Sequence, residues 1–210
     1  LLLADAITVT NNYLRDRLTE ESGMRAHGKI FVVPNAETSF HRCNIKQKDK
    51  NKIIWRGSDT HAGDLMTYAN GIAKILEAFP DIKFEFWGWN PWVIHPLFEN
   101  KTFTVHSYPD TVQYLTALSN CEAAVGIVPL VFDEFNRSKS NIAEIEFQNA
   151  GIIPVVPAMD GWKSPNRYET VSEFADVVIE TIRYQDPKKQ KFIDLREAAL
   201  IRYNMIMGRG

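Results

Sequence analysis

PLVFDEFNRSKSNIAEIEFQNAGIIPVVP, residues 129–157, decides the fold, because a strand end, a polar loop, a short helix and a second buried strand follow one another in it. Upstream, EAAVGIV (122–128) is an apolar run of buried-strand length, and GIIPVVP (151–157) is another. Between them a helix is predicted from about Ile142 to Ala150, with Gly151 as its stop. Strands joined in this way imply a parallel α/β sheet. In such a sheet a loop leaving the carboxyl end of a strand lies at the crevice where ligands bind.

The loop from Asn136 to Asn141 has the side chains of an anion site. Lys139 supplies a point charge for a phosphate, Ser138, Ser140 and Asn141 supply hydrogen bonds, and the backbone N–H groups at Ile142 open the helix. Glu146 lies one turn further on, where its carboxylate can accept from a pair of sugar hydroxyls. Phosphate donors followed by a hydroxyl acceptor describe a nucleotide or a nucleotide sugar. Composition alone favours a plainer reading: helix caps and solvated charge, with Glu146 on the surface.

Working outward, KIIWRG (52–57) reads as the first strand of the sheet, and Gly57-Ser58-Asp59 turns into a helix with Leu65, Ala69, Ile72, Leu76 and Phe79 at helical spacing. The glycine turn permits close approach of a ligand, but it is not GxGxxG, so no dinucleotide is implied. IKFEFWG (82–88) is the next strand, and its loop gathers Trp87, Trp89 and Trp92, which suit either stacking on a ring or packing. FTVHSY (103–108) follows, with His106 read as packed, then a helix with Val112, Leu115 and Leu118 inward. Residues 29–33 form an earlier strand and Asn11 or Asn12 caps a helix to about Glu21, while 36–51 reads as a basic, exposed connection. Beyond the central stretch, Val171, Phe174, Ala175, Val178 and Ile182 mark an amphipathic helix, broken at Asp186-Pro187 and followed by a last helix over about 188–205.

The 210 residues carry 24 Lys and Arg against 26 Asp and Glu, a net charge of −2 that offers no general attraction to nucleic acid or anionic membrane. With 45% hydrophobic residues there is ample material for a core. Cys43 and Cys121 have neither metal-ligand spacing nor a disulfide framework, as expected of a reduced cytoplasmic protein. No apolar run reaches the roughly 18 residues of a membrane span.

FNRSKSNIAEIEFQNAGIIPVV resembles the donor-site segment of GT-B glycosyltransferases of the group-1 (retaining) superfamily, in the branch reading FN-x-SKS-N-I, a Glu-aromatic pair, small residues and G-x-P-V-V. ADAITVTNNYLRDRL, KIFVVPNA, IIWRGSDTHAGDL, IKFEFWG and CEAAVGIVPL resemble the family's successive elements in order, so the resemblance covers most of residues 4–157. It implies a Rossmann-like doubly wound parallel sheet, the GT-B C-terminal domain, at 36–186. The end of an N-terminal, acceptor-binding domain would occupy 1–35 and a crossover helix 187–210, with the rest of the N-terminal domain in a longer chain.

The resemblance further implies transfer from a nucleoside-diphosphate sugar to a saccharide or other hydroxyl acceptor, with retention, without a bound metal and with no cofactor beyond that substrate. Arg56 and Lys139 would neutralise the diphosphate beside Gly57 and Ser58, the segment from Ser138 to Ile142 would add hydrogen bonds, and Glu146 would hold the ribose hydroxyls. Two positions depart from the pattern. Many relatives carry a second Glu eight residues before the ribose Glu, where this chain has Ser138, and the second basic position after the first strand is His61 or nothing. His61 also reads as a polar helix-start residue. A non-catalytic nucleotide or nucleotide-sugar binding module of the same descent is the alternative, and an unrelated doubly wound protein whose loop merely caps a helix is a third.

Overall fold

The structure, a computed structural model, describes residues 3–36, 47–99, 101–108 and 110–184. Cys43, most of the basic connection, the break at Asp186-Pro187 and the last predicted helix lie outside the described residues.

A six-stranded parallel sheet carries the chain from β3 (Asp49–Gly57) onward, after an initial unit of β1 (Ile7–Val9), α1 (Asn12–Glu21) and β2 (Ile30–Val32), in which β1 and β2 pair in parallel. The sheet adds β4 (Lys83–Gly88), β5 (Phe103–His106), β6 (Ala123–Ile127), β7 (Ile153–Pro157) and β8 (Arg167–Tyr168), in the spatial order β5-β4-β3-β6-β7-β8. Chain order runs outward from β3 to one edge, then restarts at β6 and runs to the other. This is the doubly wound Rossmann arrangement, and its switch point lies between β3 and β6.

Alternation of side chains across the strands builds two cores. Ile53 and Trp55 of β3 face α2 (Ala62–Thr67), α3 (Ala69–Ala78) and α7 (Phe174–Tyr184), in a cluster with Ile72, Phe84, Phe86 and Val178. Ile54 faces the other way, toward α4 (Thr111–Ser119) and α6 (Ile142–Asn149), with Trp87, Leu118, Phe147 and Val156. Gly126 lets α6 close onto the sheet, since a Cβ there would lie 2.5 Å from the Phe147 ring. The helix ends as the sequence predicts: Gly151 takes φ +70°, its N–H donates to Gln148 O at 2.9 Å, and Ile152 N–H donates to Phe147 O at 2.8 Å.

Three expectations change. The helix predicted after Gly57 is a 3-10 turn (Asp59–His61) followed by α2 and α3, divided at Tyr68. The Tyr68 ring packs against Tyr168 and Phe174 while its hydroxyl donates to Leu130 O at 2.8 Å, tying this break to the loop after β6. Val112 does not face inward but is 67% exposed, because the inward stripe of α4 is set by Tyr114 and Leu118, four residues apart. The first strand of the sheet also starts earlier than expected: Asp49 already pairs with Ala123.

Asn11 caps α1, accepting from Leu14 N–H at 2.8 Å. Val9, Ala26 and Ile30 form the small core of this first unit. Among the described residues no helix is long and apolar enough to cross a membrane.

Candidate functional site

The strands β3 and β4 end side by side on glycines, and their closeness makes the floor of a cleft. Gly57 pairs with Gly88, and a Cβ on Gly88, which has φ +103°, would lie 2.5 Å from Gly57 O. Trp89 N–H donates to that same oxygen at 3.0 Å. Above this floor opens a cleft of about 710 Å³, lined by Arg56, Gly57, Ser58, Asp59 and His61 on one side and by Trp87, Trp89, Tyr108, Asp110, Thr111 and Tyr114 on the other. It lies at the carboxyl ends of the strands, where ligands bind in sheets of this kind.

Arg56 leaves β3 on the α6 face and meets Glu146, its Nη2 lying 2.9 Å from Glu146 Oε2. The contact is an ion pair without hydrogen-bond alignment, and Arg56 Nε and Nη2 are buried with no hydrogen-bond acceptor among the described residues. The Tyr114 hydroxyl donates to the same Glu146 oxygen at 2.8 Å. Burial pushes this phenol far above its usual range; the Arg56 charge opposes the shift and Glu146 reinforces it, so Tyr114 stays a donor. Both contacts fall on Oε2, and Oε1 carries neither of them. Side-chain exposure is 24% for Arg56 and 17% for Glu146, low enough for the pairing to count.

The polar loop is more ordered than its composition suggests. Glu134–Arg137 is a helical turn, α5, capped by Asp133 accepting from Asn136 N–H at 2.7 Å. Ser138 Oγ donates back to Glu134 O at 2.9 Å, so its hydrogen is already committed. Asn141 stands at the N-cap of α6 without capping it; its Nδ2 donates to Glu144 Oε2 at 3.0 Å. Glu144 is fully buried, and its carboxylate also accepts Lys163 N–H at 2.9 and 3.1 Å. Desolvation raises its pKa, more than these donors lower it. The start of α6 is therefore not closed by an Asn141 cap, which leaves its first N–H groups for other partners.

Lys139 turns inward. Its Nζ is buried, has no hydrogen-bond acceptor among the described residues, and sits 4.7 Å from the centroid of Phe135. Burial lowers its pKa, against the charges of Asp64 and Asp133, which raise it. Asp64, 8% exposed, accepts Val131 N–H at 2.9 Å and Asn136 Nδ2 at 2.8 Å on Oδ1, and faces His61 Nδ1 at 3.0 Å through Oδ2. The loop is also fixed from the N-terminal unit. Asn11 Nδ2 donates to Arg137 O at 3.2 Å and Lys139 O at 3.0 Å, while Asp160 Oδ2 accepts the N–H groups of Asn12 and Tyr13.

Of the residues marked in the sequence, Arg56, Gly57 and Ser58 share the cleft, and Glu146 joins it through Arg56 and Tyr114. Ser138, Lys139, Ser140, Asn141 and Ile142 are not among the residues lining it. They follow β6 on the other side of the switch point, and Asp64, which faces His61, bonds just upstream of them, to Val131 N–H and Asn136 Nδ2. Sequence reasoning missed Tyr114 and Asp64, and read Asn11 as a helix cap alone. The spacing of His61 and Asp64, three residues apart at a helix start, was a usable signal. Nothing local announces Tyr114 or the tie of Asn11 to the loop, with partners 32 and more than 120 residues away. Among the described residues no group of three or more His, Cys, Asp or Glu is placed to hold a metal ion.

No protein-family model and no curated protein sequence matches the chain. Solved structures do. A variant of TarM from S. aureus, in complex with fondaparinux, alpha-GlcNAc-glycerol and UDP, has a TM-score of 0.62 at 12% identity, over 98% of this chain and 41% of that one. The pneumococcal O-GlcNAc transferase GtfA, in complex with UDP and GlcNAc, gives 0.55 at 12% identity over 98% and 42%. An alpha-glucosyltransferase (AGT) in complex with UDP gives 0.61 at 12% identity, over 97% of this chain and 66% of that one. The chain thus has the fold of GT-B glycosyltransferases, and its six-stranded parallel sheet matches their Rossmann-like domain. It spans about two fifths of the length of TarM and GtfA.

Proposed function

We propose that the cleft binds a nucleoside-diphosphate sugar and that the chain is the donor half of a glycosyltransferase, passing the sugar with retention, and without a bound metal, to a hydroxyl acceptor. The observation that carries this reading is the pairing of Arg56 with Glu146 beside the glycine floor at the switch point. A cation for phosphate and a carboxylate for hydroxyls stand there 2.9 Å apart, beside a cleft walled by Trp87, Tyr108 and Tyr114. The UDP held by fold neighbours supports the same ligand class. In this proposal 1–35, 36–186 and 187–210 are the N-terminal remnant, the nucleotide-sugar domain and the crossover helix, and the protein is cytoplasmic.

Each residue then has a stated task. On donor entry the diphosphate replaces Glu146 as the partner of Arg56, and the released carboxylate accepts the ribose hydroxyls while Tyr114 keeps it oriented. As the bond from the anomeric carbon passes from the diphosphate oxygen to the acceptor oxygen, whose proton goes to the departing phosphate, negative charge grows on the leaving group before that proton arrives. Arg56 offsets it, with Lys139 once its side chain swings out from under Phe135, and such charge stabilisation is usually the largest catalytic contribution.

One observation favours the binding-module alternative: where many relatives have a second Glu, Ser138 has its hydroxyl tied to Glu134 O. Calorimetry with UDP, GDP and ADP sugars, followed by transfer assays with whichever binds, tests the proposal. Tight binding with no transfer to any hydroxyl acceptor would select the module, and no binding would end both readings.

A further inference from the structure

Asn11 belongs to the N-terminal unit, yet its buried amide donates to the loop between α5 and α6. Its oxygen caps α1 through Leu14 N–H, and its Nδ2 reaches Arg137 O at 3.2 Å and Lys139 O at 3.0 Å, so both halves of the amide are bonded. Those carbonyls need a donor from outside. α5 has only four residues, far below the length at which a helix holds itself, and a turn so short leaves the carbonyls at and beyond its end for partners elsewhere.

Asp160 closes the other side of the same contact. α1 has no acidic residue in its first turn; Asp160 Oδ2 supplies that charge from the loop after β7, accepting Asn12 N–H at 2.8 Å and Tyr13 N–H at 3.0 Å. Gly161 permits the approach, since a Cβ there would lie 3.3 Å from Asn11 Cβ. The Asp160 loop is in turn bound to α6, because Glu144 accepts Lys163 N–H. Hydrogen bonds therefore run in a closed circuit, from α6 through Glu144 to the loop after β7, across Asp160 to the start of α1, and through Asn11 back to the segment that opens α6. Arg17 adds a rim pair with Glu134 at 3.4 Å.

We propose that Asn11 is a positioning residue for the donor diphosphate: the first turn of α1 fixes the main chain at 137–139, so that Lys139 reaches the phosphate from a set place when its side chain leaves Phe135. The proposal rests on the nucleotide-sugar reading of the cleft. Asn11 touches no ligand itself; it acts through the carbonyl oxygens on either side of Ser138. Lys139 Nζ is buried without an acceptor among the described residues, so it must turn to meet a ligand, and an anchored backbone makes that turn end at one point. Ordering the segment beforehand also removes that entropic cost from binding. The N-terminal unit is thus part of the binding machinery, although none of its described residues lines the cleft.

The test is calorimetry on the full chain with UDP and uridine, or the guanine or adenine pair if that is the one bound. Asn11→Ser keeps an oxygen that caps α1 but is too short to hold the two carbonyls. It should weaken UDP binding about five- to tenfold and leave uridine binding within about twofold. In a Lys139→Ala background the same substitution should change UDP affinity little, since the group it positions is gone. Asp160→Ala releases the same turn from the other side and should repeat the pattern more weakly, which carries the test if Asn11→Ser disturbs α1. Equal losses for UDP and uridine, a loss undiminished in the Lys139→Ala background, or no loss in either variant overturns the positioning role and leaves the donor site standing. Failure of the wild type to bind any of the three nucleoside diphosphates removes the donor reading and the inference together.

Discussion

Replacing Glu146 by Gln should move three measurements in different directions, because this carboxylate pairs with Arg56 before any ligand arrives. Gln keeps an oxygen for the Tyr114 hydroxyl, now 2.8 Å away, but removes the charge facing a guanidinium that is only 24% exposed. Stability should therefore fall by about 1–3 kcal/mol, less than for a fully buried pair because both groups retain some solvent. Arg56, released from its partner, should bind inorganic pyrophosphate several-fold more tightly.

The ribose contact should weaken by about 1–2 kcal/mol, or roughly five- to thirtyfold. The assay is a cycle of wild type and Glu146→Gln, each titrated with UDP, 2′,3′-dideoxy-UDP and pyrophosphate, with urea unfolding alongside. Wild type should prefer UDP over its dideoxy form, and the variant should have lost most of that preference. An unchanged UDP-to-dideoxy ratio, with pyrophosphate affinity also unchanged, would refute both the ribose role and the exchange of partners at Arg56.

Lys139→Ala should weaken UDP binding about tenfold and uridine binding less, since a hydrogen bond to a charged group contributes about 1.5–3 kcal/mol; equal losses for the two ligands would count against a phosphate contact. Gly88→Ala places a Cβ 2.5 Å from Gly57 O at φ +103°, and thermal unfolding should show a loss of about 2–4 kcal/mol; a variant as stable as wild type would show that the floor can relax. Cys121 is 5% exposed, and burial pushes its thiol up to about 11 from an ordinary 9.0, with the Ala123 N–H opposing and Glu85 reinforcing the shift. In a Cys43→Ser background it should resist a thiol reagent at pH 8 until urea unfolds the protein, and fast labelling of the native state would contradict its burial. A thiol that keeps its proton longer when folded binds more protons in the native state, so its contribution to stability should fall as pH rises from about 9 to about 11.

The sheet and the helix over Ile142–Asn149 were legible because their signals are local: apolar runs of strand length, a helix stop at Gly151, glycine at the turn after β3. Pairing of Arg56 with Glu146 was not legible, since each was assigned to a ligand and neither to the other. Val112 was misjudged because the amphipathic reading of α4 gave no weight to Tyr114, whose ring packs inward while its hydroxyl finds Glu146. Ser138 and Asn141 were read as donors to a ligand, but their nearest acceptors are Glu134 O and Glu144, one helical turn away in each case. Polar side chains at helix ends satisfy local partners first, and composition alone does not show which of them are already satisfied.

The anchoring of the loop between α5 and α6 has a consequence for how such a site can diverge. Asn11 holds this segment by the carbonyl oxygens of residues 137 and 139, and Asp160 holds the start of α1 by backbone N–H groups. None of these four bonds involves a side chain of the loop. Arg137 and Lys139 could be exchanged for residues of other charge or size without cutting the tether that positions the main chain. Scaffold and chemistry are thereby inherited separately: a lineage can try new side chains over the switch point while the backbone carrying them keeps its place.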